Sequence, residues 1–143
     1  MRRSRGYSLL ELVMVIVIAG TLAALAIPYF TDRESRATWY REQVKAGLRY
    51  AQRQAVAQRR SVCVEVQPSN VRVRYRTGVD CTAGALLTHI TNGEDYVLAA
   101  PTGVAITPTV TFWFNGLGRP STGAVLDVGG AAIVVHAETG YVE

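Results

Sequence analysis

Hydrophobic positions change their spacing twice along this 143-residue chain, and each change marks a new element. Residues 7–27 form an almost unbroken apolar run of 21 residues, which as a helix rising 1.5 Å per residue would span about 30 Å, the thickness of a bilayer's hydrocarbon core. Beyond Pro28 the apolar positions thin to a stripe, Ala37, Tyr40, Val44, Leu48, Ala51 and Ala55, recurring at steps of three or four. That spacing puts them on one helix face. From residue 61 the period drops to two. Val62, Val64 and Val66 share a side, and after Pro68-Ser69-Asn70 the residues Val71, Val73 and Tyr75 alternate with Arg72, Arg74 and Arg76, which predicts a hairpin.

Further apolar runs follow near 85–90, 96–99, 110–114, 124–128, 131–137 and 140–142. Turn formers separate them: Asn92-Gly93, Gly116, Gly118, Pro120, Gly123 and Gly129-Gly130. The expected fold class is therefore α+β, a long N-terminal helix packed on an antiparallel β-rich C-terminal head. The helix divides into a transmembrane half (7–28) and an amphipathic half (29–60) with a kink near Pro28. Residues 61–143 make the head and residues 1–6 a separate leader. No internal repeat or low-complexity linker interrupts this order.

Charge follows the same partition. Removing Arg2, Arg3 and Arg5 with the leader leaves 12 basic against 11 acidic residues, so a net +4 becomes +1. Residues 29–60 carry eight Lys/Arg against three Asp/Glu, and residues 61–143 carry four against seven. A basic stalk precedes a mildly acidic head, and the pI of about 9.4 is no nucleic-acid signature. Arginines ahead of the apolar run hold that end in the cytoplasm and leave the head outside it.

Three readings of the N-terminus compete. A secretory signal peptide would be cut after Ala24-Leu25-Ala26 and release a protein starting at Ile27. An uncleaved anchor would keep the whole run. Glu11 argues against both, because an ionised side chain within a membrane segment costs roughly 2.5 to 3.5 kcal/mol and needs a partner. A cut between Gly6 and Tyr7 supplies one: it creates an α-amino group four residues before Glu11, and in packed helices the amine of one subunit can neutralise the carboxylate of its neighbour. Gly20 and Pro28 each weaken the helix, by about 1 and 3 kcal/mol. Residues 20–28 are thus expected to stretch or unwind on assembly, against the plainer reading of a helix that merely curves. Ala19, Gly20, Ala23 and Ala24 let neighbouring helices approach closely.

The segment Arg5-Gly6-Tyr7-Ser8-Leu9-Leu10-Glu11 resembles the processing motif of type IV pilins and of the pseudopilins of type II secretion. In that family a short basic leader ends in Gly, an aromatic follows, usually Phe where this chain has Tyr7, and Glu stands fifth. Gly20 and Pro28 also fall where the family has them. The resemblance implies cleavage after Gly6 by a prepilin peptidase and N-methylation of Tyr7. LRYAQRQAVAQRRSVCVEV, FNGLGRPSTG and ETGYV resemble the FimT/GspH class of minor pilins, and the helix-to-strand passage is similar to minor pilins of mannose-sensitive haemagglutinin pili, of the MshC kind. The class implies a subunit held in the inner membrane with a periplasmic head, which helps to initiate, assemble or cap a pilus filament. Its implied partners are other pilin subunits, the pilus or secretion assembly platform and the prepilin peptidase.

Two alternatives stay open, a minor pseudopilin of type II secretion and a minor pilin that binds DNA for uptake. Against the second, the tail ETGYVE is acidic and Arg119 is the sole cation after Arg76. Arg72, Arg74 and Arg76 on one strand face remain a phosphate track with strongly salt-dependent affinity as its sign. The arginines of the stalk, from Arg33 to Arg60, read as a solvated helix face, with acidic heads or anionic lipid as rival partners. Cys63 and Cys81 would sit in an oxidising compartment, where a bridge is expected over two free thiols and would contribute about 3 kcal/mol.

Catalytic chemistry is thin. His89 and His136 have no ligand spacing, and His136 with Glu138 lacks a third ligand. Gly116-Leu117-Gly118-Arg119-Pro120 lacks the lysine and setting of a phosphate loop and reads as a turn. No metal, cofactor or enzymatic activity is expected.

Overall fold

The structure, a computed structural model, describes residues 8–31, 33–88 and 93–143, and for residues 24–31 only the backbone. The expected leader 1–6, Tyr7, His89 and Asn92 lie outside the described residues. Two helices open the chain, α1 (Leu9–Thr31) and α2 (Arg33–Gln58). Helical backbone continues through Gly20 and Pro28 to Thr31, as expected of a helix that carries on past Pro28. Proline removes one N–H and leaves the residues after it free to bond onward.

The second helix stops at Gln58, two residues before the expected end at 60. Arg59 turns left-handed (φ 50°), its N–H donates to Val56 O at 3.2 Å and the Arg60 N–H reaches back to Ala55 O at 3.1 Å. This is the paired closing pattern that usually takes glycine, and because arginine occupies it the sequence carries no visible stop signal.

Among the described residues seven strands follow: β1 (Val62–Gln67), β2 (Asn70–Tyr75), β3 (Val97–Ala99), β4 (Ile106–Thr107), β5 (Val110–Phe114), β6 (Ala124–Val128) and β7 (Ala131–Val135). The first two form the expected hairpin, with Gln67 opposite Asn70 across a two-residue turn and Val64 opposite Val73. One antiparallel sheet has the order β3-β2-β1-β5 and a second the order β4-β6-β7. The described part of the 85–90 run yields only isolated bridges, Arg74 to Leu86 and Thr88 to Asp95, and the 140–142 run a bridge from Val142 to Val135. Strand β4 has no counterpart among the expected runs. It is two residues long, with Ile106 buried, and too short for alternation to reveal.

The stripe Ala37, Tyr40, Val44, Leu48, Ala51 and Ala55 is buried, and α2 lies against strands of both sheets. It meets Val62, Val64, Val66, Phe112 and Phe114 of the first sheet in one core that also holds Leu126, Val128, Ile133 and Val135 of the second. Gly47 lets this contact close: a Cβ there would stand 2.8 Å from Leu98 Cδ1 and 3.3 Å from the Tyr96 ring. The Tyr40 hydroxyl, fully buried, donates to Leu98 O at 2.9 Å and ties the helix to β3.

Two outcomes follow. Arg59→Gly removes the left-handed cost of a side chain, about 1 to 2 kcal/mol, against a smaller gain in unfolded-chain freedom. Chemical denaturation should show stability raised by a few tenths to about 1 kcal/mol. Burial pushes the Tyr40 phenol up from its ordinary 10.0 to about 12. The folded chain therefore keeps a proton that the unfolded chain releases, and the contribution of Tyr40, complete below pH 10, is lost as pH rises toward about 12. Denaturation midpoints should fall across that window, and the fall should be shallower in Tyr40→Phe.

Candidate assembly site

The described side chains of the N-terminal helix, which end at Ala23, differ from the head in forming no covered face. From Leu9 to Leu22 its large apolar side chains are exposed, from 43% at Val13 to 81% at Leu9. A helix segment whose described side chains are apolar on all sides and uncovered by the head must be covered by something else. Glu11 stands exposed in its first turn, where the Ser8 carbonyl accepts from the N–H groups of Glu11 at 3.0 Å and Leu12 at 3.2 Å. The positive end of the helix dipole favours a carboxylate at this place. Gly20 is not demanded by packing, since a Cβ there would meet nothing within 4 Å. Gly6 and Tyr7, the expected cleavage and methylation residues, lie outside the described residues, as does the Pro28 side chain. Among the described residues no helix is long and apolar enough to cross a membrane, the described side chains of α1 ending at Ala23.

At the far end of α2 three separate parts of the chain converge on Gln52. Its side-chain amide donates to Gly118 O at 2.9 Å and to Thr139 O at 3.1 Å. The 115–119 turn is braced internally: Asn115 Oδ1 accepts from the N–H groups of Leu117 and Arg119, both at 3.0 Å, and Asn115 N–H donates to Arg119 O at 2.9 Å. Gly140 (φ 72°) approaches so closely that a Cβ would collide with Gly118 O and with Gln52. Arg119 then pairs with Glu138 at 2.8 Å, and Arg49 donates to Val142 O at 2.9 Å. The phosphate-loop pattern at 116–120 is thus a self-satisfied turn. FNGLGRPSTG and ETGYV stand as separate segments in the sequence; the glutamine that joins them carries no signal of its own.

On the outer face of the first sheet Cys63 and Cys81 are bridged, with Cα atoms 5.5 Å apart. Two arginines clamp the 79–84 segment that carries Cys81. Arg74 donates to Thr82 O at 2.7 Å and lies 3.6 Å from Glu65, while Arg76 donates to Val79 O at 3.1 Å with its guanidinium 3.9 Å from the centre of the Trp113 ring. The row Arg72, Arg74 and Arg76 is therefore not an open phosphate track, because two of its three members hold the protein's own carbonyls and rings. His136 pairs with Glu143 at 2.9 Å and Glu138 with Arg119, so the two residues weighed for metal point to different partners. Among the described residues no group of three or more metal-ligating side chains assembles.

Comparison with known families adds one finding. Residues 1–27 match the family model described as the prokaryotic N-terminal methylation motif. The N-terminus is type IV pilin-like. Such a motif marks a pilin-like or pseudopilin chain that a prepilin peptidase processes and that assembles with other pilin subunits. It covers the leader, Glu11 and Gly20 and stops one residue short of Pro28. No curated protein and no solved structure matches the chain significantly.

The glycine at the three-way junction can be checked against one in open space. Gly140→Ala and Gly130→Ala (φ 88°) both place a side chain in left-handed backbone, but nothing lies within 4 Å of the second. Denaturation should show Gly140→Ala to be the more destabilising, by about 1 to 3 kcal/mol, because overpacking adds to the backbone term.

Proposed function

We propose that the chain is a minor type IV pilin of the FimT/GspH kind, allied to those of mannose-sensitive haemagglutinin pili. It is held in the inner membrane by its apolar helix with the head in the periplasm, and it takes part in initiating, assembling or capping a pilus filament. What carries this reading is the union of a methylation-type N-terminus with a helix whose apolar surface is uncovered in the isolated chain. Lipid covers that surface before assembly and neighbouring helices cover it afterwards.

In this reading the Glu11 carboxylate meets the amine of Tyr7 on the adjoining subunit. In low-dielectric surroundings such a pair forms only where both charges are present and aligned, so it sets axial register as well as offsetting the cost of the buried charge. Gly20 and Pro28 allow the helix to adjust while neighbours dock. The work done is mechanical, with no catalytic step and no cofactor. A minor pseudopilin of type II secretion shares every one of these features and is the second reading. DNA capture is disfavoured by the inward engagement of Arg74 and Arg76.

Mass analysis of the N-terminus of membrane-derived protein tests the proposal. Methylated Tyr7 is the expected product, and a start at Ile27 would convert the chain into a secreted protein and end the filament reading. Glu11→Ala should still be inserted and cut, yet its incorporation into filaments, measured by immunoblot of the sheared fraction, should drop about tenfold or more, since a charge pair in a desolvated site is worth at least about 1.4 kcal/mol.

A further inference from the structure

The two ends of the head differ in shape and charge. At the C-terminal end of α2, Leu117 stands 82% exposed on the tip of the braced 115–119 turn. Beside it lies Val56, 47% exposed, whose Cγ2 would be 3.0 Å from a Cβ at Gly118. Gly116 rests on the backbone of Arg59, and Arg53 stands one turn before Val56, both arginines being exposed. The result is a rigid apolar knob flanked by two cations. At the other end, where α2 begins, a cleft of about 560 Å³ lies between the helix, the 103–107 segment and the β6–β7 turn. Its floor is apolar, Ala37 and Val104 being buried, and its rim carries the carboxylates of Glu34 and Asp127 beside Arg33.

We propose that the knob of one chain seats in the cleft of a second copy, a head-to-tail contact along the α2 axis; the inference rests on the reading of this chain as a filament subunit. Residues 34 and 56 are 22 apart, so the two surfaces lie about 33 Å from one another along the helix. A contact between unlike surfaces of identical chains closes into a ring or, where its rotation does not close, continues as an open filament. Charge favours this occupant: Arg53 and Arg59 of the knob oppose Glu34 and Asp127 of the cleft, which outweigh Arg33 on its rim, whereas two knobs facing each other would repel. The braced turn holds Leu117 in place before contact, so little ordering is lost when it docks.

A photo-crosslinking residue in place of Leu117, which is exposed and makes no core contact, tests this in the full chain in filaments sheared from its own cells. The expected product is a dimer of the chain, with the crosslink mapped by mass spectrometry to residues 103–107 or 127–130. Arg53→Glu should reduce its yield several-fold, and adding Glu34→Arg to the same chain should restore it. A crosslink to a different subunit or to another face of this chain, no crosslink, or absence of rescue by the charge swap overturns the proposal. Tyr7 methylation measured on membranes of the same cells separates the outcomes: a methylated chain without the crosslink rejects the contact alone, and an unmethylated one rejects the filament reading beneath it.

Discussion

A 26-residue helix carrying one stripe of small and apolar side chains is the constraint on which the head depends. Three of its buried positions are alanine and a fourth is Gly47, so the helix axis can lie close to the sheet, and Tyr40, Val44 and Leu48 fill the space that remains. Each large side chain so buried contributes about 1.5 to 3 kcal/mol. The strands answer with valine, leucine and phenylalanine on one face only. Because side chains alternate, the opposite face is left to Cys63, Glu65, Arg74 and Trp113, and the cysteine loop is laid over that side by a covalent bridge and two arginine clamps.

This division explains why the cationic residues of the hairpin do not form an open surface. A guanidinium beside sheet backbone and an aromatic ring finds carbonyl and π partners within its own chain, and Arg74 and Arg76 take them. The same economy operates at Gln52. One amide satisfies carbonyls from two loops 21 residues apart in sequence, and glycine at 140 lets them come together. The outcome is a stiff distal end to the head.

The N-terminal helix obeys a different rule. Head residues bury their apolar surface within the chain, whereas the side chains from Leu9 to Leu22 leave theirs uncovered. A molecule built this way is stable in two parts and complete only in company, which fits an N-terminal segment of the pilin-like kind. The charge of Glu11 is compatible with water or with a helix terminus, and in a packed apolar bundle it needs a cation brought by another chain.

Much of this was legible before any coordinates. The period of 3.6 in α2 and of 2 in the hairpin is imposed by backbone geometry on whichever residues must face a core, so Tyr40, Val44, Leu48, Val62 and Val73 announce their own burial. The apolar run, Glu11 and the Gly6-Tyr7 junction likewise form a local pattern, complete within a few residues. What sequence order could not reveal depends on contacts between distant positions: the two-residue strand β4, the pairing of Arg119 with Glu138, the clamps of Arg74 and Arg76, and the meeting at Gln52. The helix end at Arg59 was hidden for a related reason, since the left-handed turn there is closed by backbone bonds to Val56 and Ala55, beside the closely approaching Gly116, and not by the preference of arginine. Local periodicity is a property of the chain, whereas which polar group satisfies which is decided only when the core has brought them within reach.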